Sequence, residues 1–544
     1  MGKFLEAAAA APARVAPRDG RADLRRAWQD RFGAVTARFE HEAFLIVLFA
    51  IYLVGVTRSM PTQIASDTWM TLAYGREVVH HGLPSHDTLT IWAHGRTWVD
   101  QQWLGQIFYY WLYALGGIRA VLAVNALALA AGTGLAVLAA RRRGGSARAV
   151  TWLVLLSFVV IAWSSWTVRV QSLVFVLFVG LLWLLAEDSR RPSRRVFFAL
   201  PLLVLWANVH GTAFLGAALI ALRGASMLLE RDRALRDRLP TAAVLLASPV
   251  LLLASPYGLD LVGYYHRLLL NPAFGHYVTE WAPTRFGIAT APFYLLALLA
   301  AWLAGRCASR LTRFEQGTLL ITFVLALMAV RSVIWFMLSA LVLLPAALDG
   351  VLDSRWGSPR YRYVNLALGA AAPVVCAIVV VSSFQHPARR FTRDFPPAAA
   401  DRVAQIAARD PHARIFANER FADWLVLEHP SLAGRIAFDG RFELLTAKEL
   451  QRIVYFRARI IGSQNVIRGY RLLVLYPAKK SEAKVTNELL ASPSRHAVYR
   501  DGRIAVISQP DGRGLSPKGQ GGLAARPYQA RTRAPIKEGR ASRR

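Results

Sequence analysis

The chain is a succession of long apolar stretches, and every second break between them is rich in arginine. No other feature limits the fold as tightly. A helix that crosses a bilayer needs about 20 mostly apolar residues, and Lys and Arg gather in the cytoplasmic connections. Candidate spans fall at 42–59, 119–140, 149–167, 172–187, 196–209, 211–228, 240–255, 290–305, 316–330, 333–350 and 364–383, about eleven transmembrane helices. The arginine blocks are an N-terminal arm from Arg14 to Arg38, then 141–148, 187–195, 231–238, 306–313 and 354–362. One threading satisfies them all: N-terminus in the cytoplasm and everything after about 384 outside.

Composition agrees. Of 544 residues, 55% are hydrophobic and 18% charged, against roughly 25% charged in soluble domains. That excludes a disordered chain and argues against a large soluble enzyme. The net charge of +31 is one mark of a nucleic-acid binder. Its arginines, however, sit in short blocks between spans, so the expected partners are membrane lipids and not nucleic acid. The only cysteines, Cys307 and Cys376, make no disulfide framework. No cleavable leader is expected, because the first apolar run, near Phe44, lacks a small-residue cleavage site.

The fold class expected is therefore a polytopic α-helical membrane protein with a small C-terminal α/β extracytoplasmic domain. Residues 1–41 form a basic cytoplasmic arm, 42–383 the transmembrane domain with a long first outer loop at 60–118, 384–510 the α/β domain, and 511–544 a disordered basic tail. In the α/β region, ARIFAN, GRIAFDGR, YRLLVLYP and HAVYRDGRIAVIS look like strands, and TAKELQRIVYFRA and SEAKVTNELLAS like helices.

With this threading, the unusual polar residues share the outer face. The 60–118 loop is too long and aromatic for a plain connector. It carries Asp67-Thr68-Trp69 and a stretch, 102–115, with Trp103, Ile107, Tyr110, Trp111 and Leu115 on one face, which suits a helix lying in the interface. Arg169 and Gln171 follow the third span; Trp206, Asn208, His210 and Gly211 separate the fifth and sixth. His266, His276, Glu280 and Trp281 follow the seventh, and Arg331 and Trp335 the ninth. Ionisable groups at span ends are costly unless they face a wet cavity or a partner, so one shared cavity is the economical account. Each residue also has a plainer reading. Asp67 would serve as a helix N-cap, Arg331 would snorkel to lipid phosphate, His210 would satisfy a tight turn, and Trp69, Trp98 and Trp103 would be interface anchors. His80, His81, His86 and His94 match no closed zinc pattern.

The layout resembles the GT-C superfamily of membrane glycosyltransferases, and specifically the family 39-like bacterial branch with the protein O-mannosyltransferases and lipid A aminoarabinose transferases. It is similar to bacterial members that carry D-x-W in the first loop, W-x-N-x-H-G between spans, E-W-x-P in a later loop and a late Arg. Here these read Asp67 to Trp69, Trp206 to Gly211, Glu280 to Pro283, and Arg331. The likeness covers roughly 40–510 and implies a transferase of the bacterial inner membrane. Its donor would be a polyprenyl-phosphate-linked sugar and its acceptor an envelope glycan, lipid or protein. On that resemblance Asp67 is the base. Arg331, Arg169 and His210 take the phosphate. Glu280, Trp69, Asn208, Gln171 and Trp103 position substrate. Many members have two adjacent acidic residues in the first loop, but Thr68 follows Asp67 here. The second carboxylate is either absent or left to Asp87, Asp100 or Glu280, and the need for a divalent metal stays open.

Two rivals remain. A non-enzymatic transporter or scaffold for lipid-linked sugars would place polar groups at the bilayer midplane, whereas these spans are clean in the middle. A polymerase or ligase of polyprenyl-linked glycans would not pivot on Asp67.

Overall fold

A computed structural model describes residues 42–164, 166–230, 234–352 and 361–510; the expected arm at 1–41 and tail at 511–544 lie outside the described residues. Each apolar stretch is helical. We label α1 (42–58), α2 (Ser66–His81), α3 (Trp103–Arg142), α4 (Ala147–Ser164), α5 (Gln171–Arg190), α6 (Ala199–Val209) and α7 (Ala213–Leu229). There follow α8 (Leu235–Ala247), α9 (Asp260–Leu269), α10 (Ala291–Arg306), α11 (Arg313–Met328), α12 (Val333–Leu343) and α13 (Arg362–Gln385).

Among the described residues α3, α5 and α13 are long and apolar enough to cross a membrane, and α13 leaves Val374, Val375, Ile378 and Val381 exposed. An apolar face of that kind is tolerable against lipid and not against water, so the chain is a helical membrane protein. At the other extreme, every residue of α12 is buried, as befits a helix apolar all round at the centre of a bundle.

The two ends of the bundle differ. At one, the arginine-rich connections meet in buried ion pairs. Glu315, capped into α11 by Thr312, accepts from Arg190 Nε at 2.8 Å and also pairs with Arg143. Arg223, fully buried, pairs with Asp188 at 2.8 Å and Glu230 at 2.5 Å. Removing one partner of such a pair strands a charge, at a cost of about 3–5 kcal/mol.

At the other end lie the 60–118 segment and the C-terminal α/β region. Helix α3 kinks at Gly117, whose φ of 61° an L side chain resists. Before the kink it buries Gly105, Gln106 and Tyr109 and turns Phe108, Trp111 and Leu115 outward. The exposed stripe thus runs through Phe108, while Trp103, Ile107 and Tyr110 are half-buried, rotated inward by the packing of α2. That packing is close at Gly75, where a Cβ would collide with the Gln106 carbonyl.

The C-terminal region adds α14 (Pro397–Arg409), β1 (Ile415–Ala417), α15 (Glu419–Glu428), α16 (Ala447–Arg457), β2 (Leu472–Leu475), α17 (Lys480–Leu490), β3 (His496–Arg500) and β4 (Ala505–Ser508). The sheet order is β1-β2-β4-β3, with β1 and β2 parallel (Ile415 beside Leu472) and the other pairs antiparallel. GRIAFDGR, expected as a strand, makes only isolated bridges from Ile436 to Thr90 and Ile415. Beyond them its backbone leaves the sheet, and its polar residues turn toward the 60–118 segment. Arg441 bonds Asp87 of that segment and its own neighbour Asp439, both at 2.5 Å, and stacks on Trp98 and Tyr74. Tyr74 donates to Asp423 at 2.7 Å, Arg76 to the carbonyls of Val426 and Leu427, and Arg96 to Glu449 at 2.7 Å. The C-terminal region is therefore clamped to α2.

Candidate functional site

Between these parts lies a cavity of about 720 Å³, lined by α2, residues 98–106, the turns after α4, α6 and α11, residues 264–281 and residues 440–443. Asp67, Arg169, Gln171, His210, Glu280 and Arg331, taken from distant places in the sequence, all lie on its wall.

Asp67 is not the cap of α2. The helix starts at Ser66 after an extended Ala65, so Asp67 falls in the first turn, where a carboxylate suits the helix dipole. The Thr68 hydroxyl accepts from the Ala65 N–H and donates to the Val168 carbonyl, each at 3.2 Å. That second bond draws residue 169 alongside Asp67. Arg169 Nε then stands 2.6 Å from Asp67 Oδ2, while Nη2 and Nη1 donate to Glu280 at 2.5 and 3.1 Å. The Nε–H is not aimed at the Asp67 oxygen, so charge holds that contact. Burial works against the Arg169 cation, but the carboxylates of Asp67 and Glu280 outweigh it and raise its pKa. Burial likewise pushes Glu280 up, and Arg169 more than reverses it.

Arg331 is different. It lies 4.7 Å over the Trp281 ring, and among the described residues no hydrogen bond or ion pair engages its guanidinium. Burial pulls its pKa down, with Glu280 opposing, yet a guanidinium stays protonated in a protein. His210 accepts the Thr212 N–H at Nδ1, 3.1 Å away, which leaves its proton on Nε2. Burial, then Arg331 and Arg169, depress its pKa to about 3, so it is a neutral donor.

Three expected residues are not on the cavity. Trp69, 1% exposed, packs edge-on against Phe395. Trp103 Nε1 donates to Asn208 Oδ1 at 3.2 Å, and Asn208 donates to the carbonyls of Val204 and Ala254. Trp103 and Asn208 brace the walls from behind, their polar atoms spent on each other and on neighbouring backbone, and Trp69 does so by ring packing alone. Arg169, expected on the phosphate, is likewise already spent on two carboxylates. Of the three candidates for a second carboxylate, Glu280 shares Arg169 with Asp67, and Asp100 lines the cavity. Asp87 is buried, taking Thr90 and Arg441.

Around Asp100, which the sequence offered only as a candidate second carboxylate, the rest of the cavity wall was not legible from sequence. Gln101 accepts the Gly211 N–H at 2.9 Å and donates to Tyr264 at 2.7 Å. Arg441 and Glu443 reach the cavity from the C-terminal region. Burial pushes both Asp100 and Glu443 to about 7. For Arg441 and Glu443 the charged run Asp439-Gly-Arg441-Phe-Glu443 was the hint.

The residues present do not fit a divalent metal. The guanidinium of Arg169 already stands between Asp67 and Glu280, and among the described residues no trio of His, Cys, Asp or Glu is arranged to hold one.

No family model and no curated protein matches the sequence. Solved structures do. The chain is similar to the oligosaccharyltransferase of Archaeoglobus fulgidus tethered to an acceptor peptide, at 11% identity and TM-score 0.51 over 87% of this chain and 75% of that one. It also matches ArnT of Cupriavidus metallidurans bound to undecaprenyl phosphate, at 17% identity and TM-score 0.44 over 85% and 97% of the two chains. A third match is the same archaeon's AglB with an inhibitory peptide and a dolichol phosphate, at 12% identity and TM-score 0.49 over 80% and 70%. At such identity the first likeness speaks to architecture alone, and on that ground the chain has a GT-C-like fold.

Proposed function

We propose that this protein is an inverting glycosyltransferase of the bacterial inner membrane, moving a sugar from polyprenyl phosphate to an envelope glycan, lipid or protein on the extracytoplasmic side. One observation carries the reading. In a GT-C-like fold, a carboxylate fixed by an arginine, Asp67 on Arg169, faces the same cavity as an arginine with no carboxylate partner, Arg331.

In this reading Asp67 takes the proton of the acceptor hydroxyl. The acceptor oxygen forms a bond to the anomeric carbon as the bond from that carbon to the phosphate oxygen breaks. The electron pair leaves on the polyprenyl phosphate, where charge develops and where donors act most strongly. Arg331, with a fork of free N–H groups, and the Nε2–H of His210 meet that charge. Arg169 is a positioning residue that orients Asp67 and Glu280, and Gln171 and Glu280 border the acceptor. The arginine-rich end of the bundle is the cytoplasmic one under the positive-inside rule, and eleven spans put the C-terminal region across the membrane.

The test compares envelope glycoconjugates by mass spectrometry in a strain lacking the gene and in strains restored with wild type or with Asp67→Asn, at matched membrane levels. A sugar absent from the deletion and from the Asp67→Asn strain, and present with wild type, is the expected result. Unimpaired transfer by Asp67→Asn would sink the assignment.

A further inference from the structure

Where the exposed apolar face of α13 ends, the chain turns basic. Val381 is exposed, His386 caps the helix, and the turn Ala388–Phe391 follows with Arg389 and Arg390 exposed. Arg390 Nη1 lies 2.9 Å from His386 Nε2. Arg119, exposed just past the α3 kink, donates from Nη2 to the His386 carbonyl at 2.7 Å. Two guanidiniums are thus fixed on one residue, and Arg389 adjoins them in the same turn. That turn packs against Met60–Gln63, which the exposed Arg58 at the end of α1 precedes. Among the described residues none of these four arginines pairs with a carboxylate. Residues 101–186 and 354–393 contain no Asp or Glu at all. Arg393, paired with Asp394 at 3.6 Å, marks the edge of the patch.

We infer that Arg119, Arg389 and Arg390, with Arg58 beside them, form a docking site for the headgroup of an anionic glycerophospholipid. The level of the patch argues for lipid. Exposed Trp111 and Leu115 lead up to it along α3, and Ile378 and Val381 along α13, as acyl chains lead up to a phosphate in a leaflet. Its charge argues for an anionic headgroup. Phosphate oxygens accept from the guanidinium fork, and clustered arginines at a membrane surface attract anionic lipid. The ammonium of a zwitterionic headgroup would meet the same cations with no carboxylate to receive it. A lone arginine at a helix end would only snorkel. Here the carbonyl and ring of His386 hold two in place beforehand, which lowers the cost of ordering them around a ligand. A phosphate seated there ties the ends of α1, α3 and α13 together. None of these residues lines the cavity, so the inference goes beyond the transferase reading and does not depend on it.

The test is native mass spectrometry of the full-length protein released from nanodiscs of phosphatidylcholine and phosphatidylglycerol, counting the lipids retained. The variants are a triple substitution, Arg119→Gln with Arg389→Gln and Arg390→Gln, and the same three positions changed to Lys. All three side chains are exposed, and melting temperature establishes that the variants fold. We expect the glutamine variant to lose one phosphatidylglycerol relative to the wild type, with phosphatidylcholine retained equally, and the lysine variant to regain it. Undecaprenyl phosphate, which the transferase reading places on Arg331, should bind the glutamine variant as it binds the wild type. Equal phosphatidylglycerol in wild type and glutamine variant overturns the site. Equal loss of phosphatidylcholine, or no recovery with lysine, overturns the charge argument behind it. Displacement of the lipid by millimolar inorganic phosphate overturns the lipid in favour of the ion. Loss of undecaprenyl phosphate in the glutamine variant overturns the phospholipid and hands the patch to the donor.

Discussion

Arg169 Nε stands 2.6 Å from Asp67 Oδ2 while its terminal nitrogens hold both oxygens of Glu280. One guanidinium thus fixes two carboxylates from separate loops, and the cavity owes its shape at that point to a three-way contact rather than to any single motif.

Arg169→Lys tests this clamp. A single ammonium has no planar fork and does not serve both carboxylates at once. Losing a charge-assisted contact of roughly 1.5–3 kcal/mol predicts transfer slowed about 10- to 100-fold. Turnover in membranes should fall while the binding of undecaprenyl phosphate, which the proposal assigns to Arg331, stays within about threefold.

Arg331→Ala should do the reverse. With no carboxylate to neutralise, its charge is available to phosphate, and truncation should weaken undecaprenyl phosphate binding roughly 10- to 100-fold. Arg331→Lys should recover part of it by charge alone. Equal affinity in wild type and Arg331→Ala would remove this residue from the phosphate.

Asp100 predicts a pH dependence of stability. Burial raises its folded pKa from the ordinary carboxylate range to about 7, so its contribution is fully present below the unfolded pKa and is lost as pH rises through the folded one. The total loss across that window is bounded at about 4 kcal/mol. The wild type should melt lower at pH 8 than at pH 5, and Asp100→Asn should flatten that difference. Glu443, also raised to about 7 by burial, acts in the same sense, so Asp100→Asn with Glu443→Gln should be flatter still. An unchanged slope in the double variant would contradict the burial argument.

Orientation is tested by labelling. Ser193, in an arginine-rich connection, and Ser494, in the C-terminal region, are both exposed, and the natural Cys307 and Cys376 are buried. A membrane-impermeant maleimide should label Ser494→Cys in intact cells and Ser193→Cys only after permeabilisation. The opposite pattern would invert the topology.

The sequence by itself determined the helical architecture. Apolar stretches long enough for helices, cut by arginine blocks, leave a chain few ways to bury itself, and each stretch is helical. Asp67, His210, Glu280 and Arg331 were legible as candidates for a related reason: an ionisable residue in the breaks between apolar runs is conspicuous, because it needs a wet cavity or a partner. Only the tertiary structure decided their partners. That Arg169 is spent on Asp67 and Glu280 while Arg331 is not depends on how the turns after α4 and α11 approach α2, a distance no spacing encodes. The same holds for Trp69, Trp103 and Asn208, whose side chains face neighbouring elements instead of the cavity. Arg441 and Glu443 were invisible as cavity residues because GRIAFDGR reads as a strand by its own composition. Its contacts with Thr90, Asp87 and α2 draw Arg441 and Glu443 out of the sheet and into the cavity. Local pattern reports which residues prefer apolar surroundings; which charge meets which is set by the packing of segments that are hundreds of residues apart.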